Sequence, residues 1–342
     1  SGGGWRGASG EPVLSPGKAL ELGLEDREDF LALRSLLVLL LVVCAGCGHP
    51  KNVVRLGIAA QQSLTMMPVY LAGQLGYYEA RGLQVELAEF PGASKGLEAF
   101  VGGSVDVLAG YYTQVLQLKK QGRQAEAFLP VFDSLFVAVA VSPAGGKKIA
   151  GFADLKGCKV GVPALGSTAH QLLNYLLRKN GVDPSEVTPI AISTAARAAA
   201  AMERGVVDAG VVSDFTIRYL EKRFGAVKLL ADTRTRAGMM AVHGVPSFPG
   251  TVLMASPAWL REHPAEAGKL RDAVMAAMSF MREHSAEEIT AKMPAAHYGE
   301  DRAAYVAAVG LGKGLLATTD TVSAEMHRVG VEFLKEATDE HR

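Results

Sequence analysis

The sequence predicts an α/β protein in which helices cover parallel sheets and the chain is divided into two lobes. Short β-type runs alternate with segments of helical periodicity from residue 53 to residue 255, and this alternation is typical of parallel sheets covered by helices. From residue 257 onward the pattern is mostly helical. The chain has 342 residues and is 49% hydrophobic, which is enough to bury the cores of two lobes of ordinary domain size.

The start of the chain is predicted to be an export signal outside the fold. Residues 1–29 are rich in glycine, proline and charge, and residues 35–47 form an apolar run that ends in small residues. This run is shorter than the roughly 20 residues that a helix needs to span a bilayer, and it matches a signal-peptide core. Ala45, Gly46 and Cys47 resemble the lipobox of bacterial lipoproteins. We therefore predict a leader over residues 1–47, lipidation at Cys47 and a polar tether over residues 48–52.

Charge and composition exclude several classes of function. Lysine plus arginine total 35, as do aspartate plus glutamate, so the formal net charge is zero. Nothing indicates the basic face that nucleic-acid binding needs. The histidines show no metal-ligand spacing, and Cys158 is the one cysteine that follows the leader. We therefore expect no metal, no cofactor and no catalytic residue.

The first block of elements predicts three helix-opening loops at one edge of a sheet. Strands are expected at residues 53–59, 83–90, 105–108, 127–132 and 135–141, and the first three are each followed by a helix. Ligands of such sheets bind beyond the carboxyl ends of the strands. The candidate ligand-binding residues in the three loops are Gln62, Ser63, Thr65, Gly92, Ala93, Ser94, Tyr111 and Tyr112. Capping of their own helices, a plain turn or core packing is the alternative for these residues.

The second block repeats this order, and its clearest unit runs from residue 154 to residue 184. Lys159–Val162 predicts a strand, Gly166 a close turn, and Ser167 or Thr168 the N-cap of the next helix. A helix N-terminus at the end of a strand has free N–H groups and a positive dipole end. Ser167 and Thr168 are therefore candidate ligand contacts, and an ordinary βα unit is the alternative.

The rest of the second block adds one more candidate residue. Further strands are expected at residues 187–192, 206–212, 226–231 and 250–255, and a mostly helical tail follows. Asp214 comes just after the strand at residues 206–212, where it is placed to meet a cationic or hydrogen-bond donor group. A helix N-cap is the alternative for Asp214.

Four segments of the sequence resemble a known protein family. They are residues 68–86 (PVYLAGQLGYYEARGLQVE), residues 92–94 (GAS) leading to residues 100–107 (FVGGSVDV), residues 152–162 (FADLKGCKVGV) with Gly166 and Ser167 behind them, and residues 202–211 (MERGVVDAGV). In this order they resemble the substrate-binding proteins of ABC importers for nitrate, aliphatic sulfonate, taurine and thiamine-precursor pyrimidines, the NMT1/THI5-like family.

The resemblance implies a type II periplasmic-binding-protein fold, in which two α/β lobes close on a ligand in the cleft between them. It implies residues 53–141 and 257–342 for lobe 1 and residues 142–256 for lobe 2, with crossing segments near residues 139–142 and 251–256. The family places ligand contacts at the turn that Ser167 and Thr168 occupy here. The implied protein is a monomeric, lipid-anchored receptor outside the cytoplasm that delivers a small ligand to ABC permease and ATPase subunits.

The sequence does not identify the ligand, and two other functions remain as alternatives. An anion suits the helix N-termini, and a small aromatic or pyrimidine suits the tyrosine pair and the neighbouring methionines. Relatives resembling this family build the thiamine pyrimidine from their own histidine and pyridoxal phosphate, with a cysteine-rich metal-binding motif. Cys158 alone does not favour that enzyme. A ligand-sensing receptor domain is the remaining alternative.

Overall fold

The computed structural model describes residues 53–61, 63–145, 147–299 and 301–338. The predicted leader, tether and lipidation site at Cys47, and the candidate Gln62, lie outside the described residues. Among the residues that are described, no helix is long and apolar enough to cross a membrane. They all belong to one compact unit.

The strands of the described chain form two five-stranded sheets. They are β1 (Val53–Ile58), β2 (Gln84–Glu89), β3 (Val107–Tyr111), β4 (Glu126–Phe132), β5 (Val137–Val141), β6 (Lys159–Val162), β7 (Thr188–Ala191), β8 (Ala209–Ser213), β9 (Leu229–Asp232) and β10 (Thr251–Ala255). The first sheet has the order β2-β1-β3-β10-β4, and the second has the order β7-β6-β8-β5-β9. Each sheet and its helices make one lobe, lobe 1 for the first sheet and lobe 2 for the second.

Both sheets have the same mixed pairing. β1 pairs in parallel with β2 and β3, and β6 pairs in parallel with β7 and β8. β10 is antiparallel to both of its neighbours in lobe 1, and so is β5 in lobe 2. In each sheet, therefore, one strand runs against the parallel set.

Helices follow most strands and cover the sheets. They are α1 (Met67–Gln74), α2 (Ala93–Val101), α3 (Tyr112–Lys120), α4 (Thr168–Lys179), α5 (Ala195–Glu203), α6 (Asp214–Phe224), α7 (Arg236–His243), α8 (Pro257–Glu262), α9 (Pro264–Glu283), α10 (Ala286–Lys292), α11 (Arg302–Gly312) and α12 (Ala324–Ala337). In α4, Leu172, Leu173, Leu176 and Leu177 recur at helical spacing and are buried in the core of lobe 2. This apolar stripe explains why the segment is a helix with one face on the sheet.

The chain changes lobe at other residues than the family resemblance implied. The expected crossings lay near residues 139–142 and 251–256, but β5 belongs to the lobe 2 sheet and β10 to the lobe 1 sheet. The chain therefore crosses between Phe132 and Val137, and it returns between α7 and Thr251. Local periodicity indicates that a segment is a strand, whereas its sheet is decided by partners that are distant in sequence.

The two crossing segments run side by side. The Phe248 N–H donates to the Asp133 carbonyl at 3.0 Å, and the Gly250 N–H donates to the Phe132 carbonyl at 3.1 Å. A Cβ atom on Gly250 would lie 2.1 Å from the Ser134 carbonyl oxygen. Glycine is therefore required at position 250, because no larger residue lets the two backbones approach so closely.

The helical tail divides between the lobes, although it was expected to belong to lobe 1. Helices α9 and α11 pack in the lobe 1 core through residues such as Leu270 and Val309. In contrast, α12 packs along α4 of lobe 2 and also contacts α3 of lobe 1. Its Phe333 is buried in the lobe 2 core and its Leu334 in the lobe 1 core. The last helix thus joins both lobes, because it has apolar side chains on both of these faces.

Candidate functional site

A cluster of hydroxyl groups lies at the carboxyl end of the lobe 1 sheet. Ser63 Oγ lies 3.1 Å from Thr65 Oγ1, and Tyr111 makes side-chain hydrogen bonds with both residues. Thr65 is buried, whereas Ser63 and Tyr111 are half-buried. Burial raises the pKa of the Tyr111 phenol, and the two hydrogen bonds act against this rise. Three of the predicted site residues are therefore brought together here.

Gln114 joins the first turns of α2 and α3. Its Oε1 accepts the Tyr111 N–H at 2.8 Å, and its Nε2 donates to the Ala93 carbonyl at 2.8 Å. Gly92 is the N-cap of α2, and no side chain among the described residues caps this helix. The helix N-terminus that carries Ala93 and Ser94 is thus held firmly, with its first N–H groups left for another acceptor.

The turn before α4 is held by two local hydrogen bonds. Gly166 has a φ of 74°, which glycine adopts without strain, and its N–H donates to His170 Nδ1 at 2.9 Å. The His170 N–H donates in turn to Ser167 Oγ at 3.3 Å, so Ser167 is the N-cap, one of the two residues that the sequence predicted for this role. Because Nδ1 accepts, the neutral ring carries its proton on Nε2. Burial lowers the pKa of His170 and favours this neutral form.

One cavity of about 340 Å³ has walls from both lobes. Its lining residues are Ala93, Ser94, Leu97, Glu98, Val101, Gln114, Gln117, Leu118, Gln121 and Arg123 of lobe 1 and Gly166, Ser167 and Thr168 of lobe 2. The family resemblance implies that the candidate loops of lobe 1 and the turn with Ser167 and Thr168 in lobe 2 face the same cleft. Ser94 does line the cavity with them, whereas Ser63 lies in the hydroxyl cluster with Tyr111.

Thr113 makes a direct hydrogen bond between the lobes, and sequence reasoning missed it. Its Oγ1 lies 3.1 Å from Thr168 Oγ1. Thr113 is fully buried and Thr168 is 6% exposed. The available signal was its position beside the tyrosine pair in a loop that already held two candidates.

Tyr112 lies at the last helix of the chain. Its hydroxyl is 2.6 Å from His327 Nδ1 on α12, and the two rings meet edge to face. The side chain is buried. Tyr112 is therefore placed where α12 contacts lobe 1, and the ring of Tyr111 is placed at the hydroxyl cluster.

Asp214 belongs to a buried ion-pair network at the ends of β8 and β9. It is 1% exposed and pairs with both Arg218 and Arg234. Arg234 also pairs with Asp232, at 2.8 Å. Two carboxylates thus balance two guanidinium groups, as a buried charge requires. Asp214 was predicted as a site residue but Arg234 was not, because its partners lie in two separate elements, α6 and β9.

A second ion pair lies at the crossing segments. Arg236 Nη1 donates to Ser247 Oγ at 2.9 Å, and Arg236 Nη2 lies 3.6 Å from Asp133 Oδ2. Burial raises the pKa of Asp133 to about 6, and the charge of Arg236 acts against this rise. Throughout the described ranges, no group of three or more histidine, cysteine, aspartate or glutamate side chains is arranged to hold a metal ion.

Comparison with known proteins places this geometry in a family. The model of the family described as NMT1/THI5 like matches residues 63–288. The enzyme 4-amino-5-hydroxymethyl-2-methylpyrimidine phosphate synthase of Schizosaccharomyces pombe is 30% identical over 146 residues. That match covers 42% of this chain and 40% of the enzyme, so the chain matches less than half of that relative's length.

Solved structures share the two-lobe architecture. A protein of Bordetella bronchiseptica RB50 is 29% identical with a TM-score of 0.78, and the match covers 85% of this chain and 91% of that one. The alkanesulfonate-binding protein SsuA of Xanthomonas axonopodis pv. citri, solved with MOPS bound, is 21% identical with a TM-score of 0.65 and coverage of 83% and 91%. The predicted type II periplasmic-binding-protein fold is confirmed. Since the family model spans well over half of the 342 residues, the chain belongs to the NMT1/THI5-like family.

Proposed function

We propose that this chain is the solute-binding lipoprotein of an ABC importer, which captures a small molecule between its lobes and delivers it to the permease. The observation that carries the proposal is the cavity walled by both lobes, with Ser94 on one side and Ser167 on the other. A ligand that touches both walls favours the closed arrangement of the lobes, because it has more contacts there than in an open one.

The place of action follows from the start of the sequence. The apolar run and the Ala45-Gly46-Cys47 triplet support an exported protein with a lipid on Cys47, held at the outer face of the cell membrane. In that arrangement a monomer on a short tether meets the permease and ATPase subunits of its own transporter.

We infer that the ligand is a small organic molecule with an anionic group. SsuA is named for alkanesulfonate and the yeast enzyme for a pyrimidine phosphate, and both molecules have a tetrahedral oxyanion. The uncapped N-terminus of α2 offers N–H groups at the cavity, and a helix N-terminus favours such an anion. Arg234 and Arg236 already face carboxylates, whereas Arg123 lines the cavity, so the N-terminus of α2 and Arg123 are the two anion contacts available there. Nitrate, taurine and a neutral small aromatic or pyrimidine are the other candidates.

A thermal-shift panel tests the proposal with the full-length chain. The panel contains alkanesulfonates, taurine, nitrate, a 4-aminopyrimidine and its phosphate ester. A ligand at a hundred times its Kd stabilises the folded state by about 2.7 kcal/mol, so the correct class raises the Tm by several degrees. A Tm that stays constant across the whole panel would contradict the proposal.

A pair of serine variants then locates the site. Ser167 and Ser285 both cap helices, accepting N–H groups at 3.3 and 3.2 Å, but only Ser167 lines the cavity. Each alanine variant should lose roughly 0.5–2 kcal/mol of stability from its cap. Only Ser167→Ala should also weaken ligand binding, by about tenfold if one hydrogen bond to a charged group is lost. Equal affinities in the two variants would place the site elsewhere.

The alternative is an enzyme of thiamine-pyrimidine synthesis, and the yeast relative is the observation that favours it. A pyridoxal phosphate absorption band in the purified chain, with turnover to a pyrimidine phosphate, would support the enzyme. Recovery of the bound ligand in unchanged form would support the receptor.

A further inference from the structure

We propose that Thr113 and Thr168 form a latch that holds the two lobes closed, and that Thr168 acts on ligand affinity through this latch. Thr113 lies in the first turn of α3 in lobe 1, and Thr168 is the first residue of α4 in lobe 2. Their hydroxyl oxygens are 3.1 Å apart, and either one can donate. Only the effect on affinity rests on the proposed function, because the hydrogen bond is a property of the free protein.

Both hydroxyl groups are buried in the arrangement that the structure shows, which is the closed one in this proposal. Thr113 is 0% exposed and Thr168 is 6% exposed. When the lobes separate, water can satisfy each hydroxyl, but a variant that removes one of them leaves the other buried and unpaired in the closed state. An unpaired buried hydroxyl is costly, so such a variant should favour opening by at least about fivefold.

The chain next to each threonine is held in place by hydrogen bonds. On the lobe 1 side, Gln114 binds both the Tyr111 N–H and the Ala93 carbonyl. On the lobe 2 side, the turn before Thr168 is closed by the hydrogen bonds of His170 with Gly166 and Ser167. Since these bonds hold the backbone on both sides, moving the two threonines apart requires motion of the lobes.

The latch also lies beside the cavity. Thr168 lines the cavity, whereas Thr113 is among neither its lining residues nor the exposed ones. A ligand in the cavity can therefore contact Thr168 directly, whereas it can affect Thr113 only through Thr168. This difference separates a latch from a direct ligand contact, because a change at Thr113 affects binding only if the latch does.

Distance measurement between the lobes tests the latch without any ligand. Bioorthogonal spin labels at the exposed positions 119 and 204 report the separation by double electron–electron resonance on the full-length chain. Thr113→Val and Thr168→Val should each raise the open population at least about fivefold, and the double variant should raise it less than either single variant, because it leaves no buried hydroxyl unpaired. Thr290→Val is the matched control, since Thr290 is buried and its hydroxyl has no partner among the described residues.

Two outcomes would overturn the latch. One is an open population in Thr113→Val and Thr168→Val that equals the Thr290→Val control, and the other is a double variant whose effect is the product of the single ones. With a ligand from the panel, Thr113→Val should weaken affinity by the factor by which the closed population falls. Weaker binding in Thr168→Val alone would make Thr168 a direct contact. If no ligand binds, the distance measurement still decides the latch, so the two proposals fail separately.

Discussion

His170 makes the stability of the turn at the cavity depend on pH. Its Nδ1 accepts the Gly166 N–H, so a proton on that nitrogen replaces the acceptor with a donor and breaks the bond. Burial lowers the pKa of His170 below its ordinary value of 6.5. The unfolded chain therefore takes up the proton at a higher pH than the folded chain does. The stability that His170 contributes is present above pH 6.5 and is lost as pH falls through the lowered pKa.

His170→Gln should remove this part of the pH dependence. The glutamine oxygen can accept the Gly166 N–H and does not titrate, whereas His170→Ala loses the bond and should cost about 0.5–1.5 kcal/mol at pH 8. Urea unfolding at pH 5 and pH 8 measures both effects. The same pH dependence in wild type and His170→Gln would show that the ring is not the titrating group.

The residues of this turn also show what the sequence can reveal. Ser167 was predictable as an N-cap, because serine at the start of an apolar helical run has a known capping geometry. The role of His170 was not predictable, since histidine three residues later is not the usual partner of a capping serine. The pair of Asp214 with Arg234 was hidden for another reason, because it depends on which loops the fold brings together.

At the scale of the elements, α12 connects lobe 2 with the second crossing segment. Its Phe333 is 1% exposed and packs against Tyr175 of α4, with ring centroids 5.2 Å apart, and against Phe248 of the second crossing at 5.0 Å. The helix therefore fixes lobe 2 to the segment that returns the chain to lobe 1.

Phe333→Ala should lower the free energy of unfolding by about 3–5 kcal/mol, because it leaves a cavity among aromatic rings. Val331→Ala is the control on the same helix, since Val331 is 41% exposed, and it should change stability by less than about 0.5 kcal/mol. Urea denaturation followed by circular dichroism gives both values. Similar losses in the two variants would mean that α12 is not docked as the structure shows.

The elements themselves were predictable to different degrees. Alternating β-type and helical runs identified the strands and helices of both blocks, because period and turn residues are local signals. The sheet that contains β5 or β10 is set by pairing with β8 and β9, or with β3 and β4, far along the chain. The division of the helical tail depended likewise on which lobe each apolar face meets.

At the scale of the whole molecule, one of the two crossing segments contains a buried carboxyl group with a raised pKa. The folded-state pKa of Asp133 is about 6, above the ordinary 3.8, because the group is buried. Between these two values the folded chain binds more protons than the unfolded chain. Stability from this group is therefore present at low pH and is lost as pH rises from about 4 to about 6.

Asp133→Asn should remove that loss. Between pH 4 and pH 7, the wild type should lose about 2–3 kcal/mol of unfolding free energy relative to the variant, since each pKa unit corresponds to about 1.4 kcal/mol. Asp320→Asn, at an exposed position, is the control and should follow the wild type. Parallel pH profiles for Asp133→Asn and wild type would show that Asp133 is ionised in the folded chain throughout this range.

The place of β10 in the first sheet also sets the order in which the lobes can be completed. The lobe 2 sheet uses five consecutive strands, β5 to β9, so all its strands exist once residue 232 has been made. In lobe 1, β3 and β4 are joined only through β10, which begins at Thr251. A shorter nascent chain leaves the inner edges of β3 and β4 without a partner, and such edges invite wrong pairing. Lobe 1, which contains the first strand of the described chain, is therefore the later of the two lobes to gain its full set of strands.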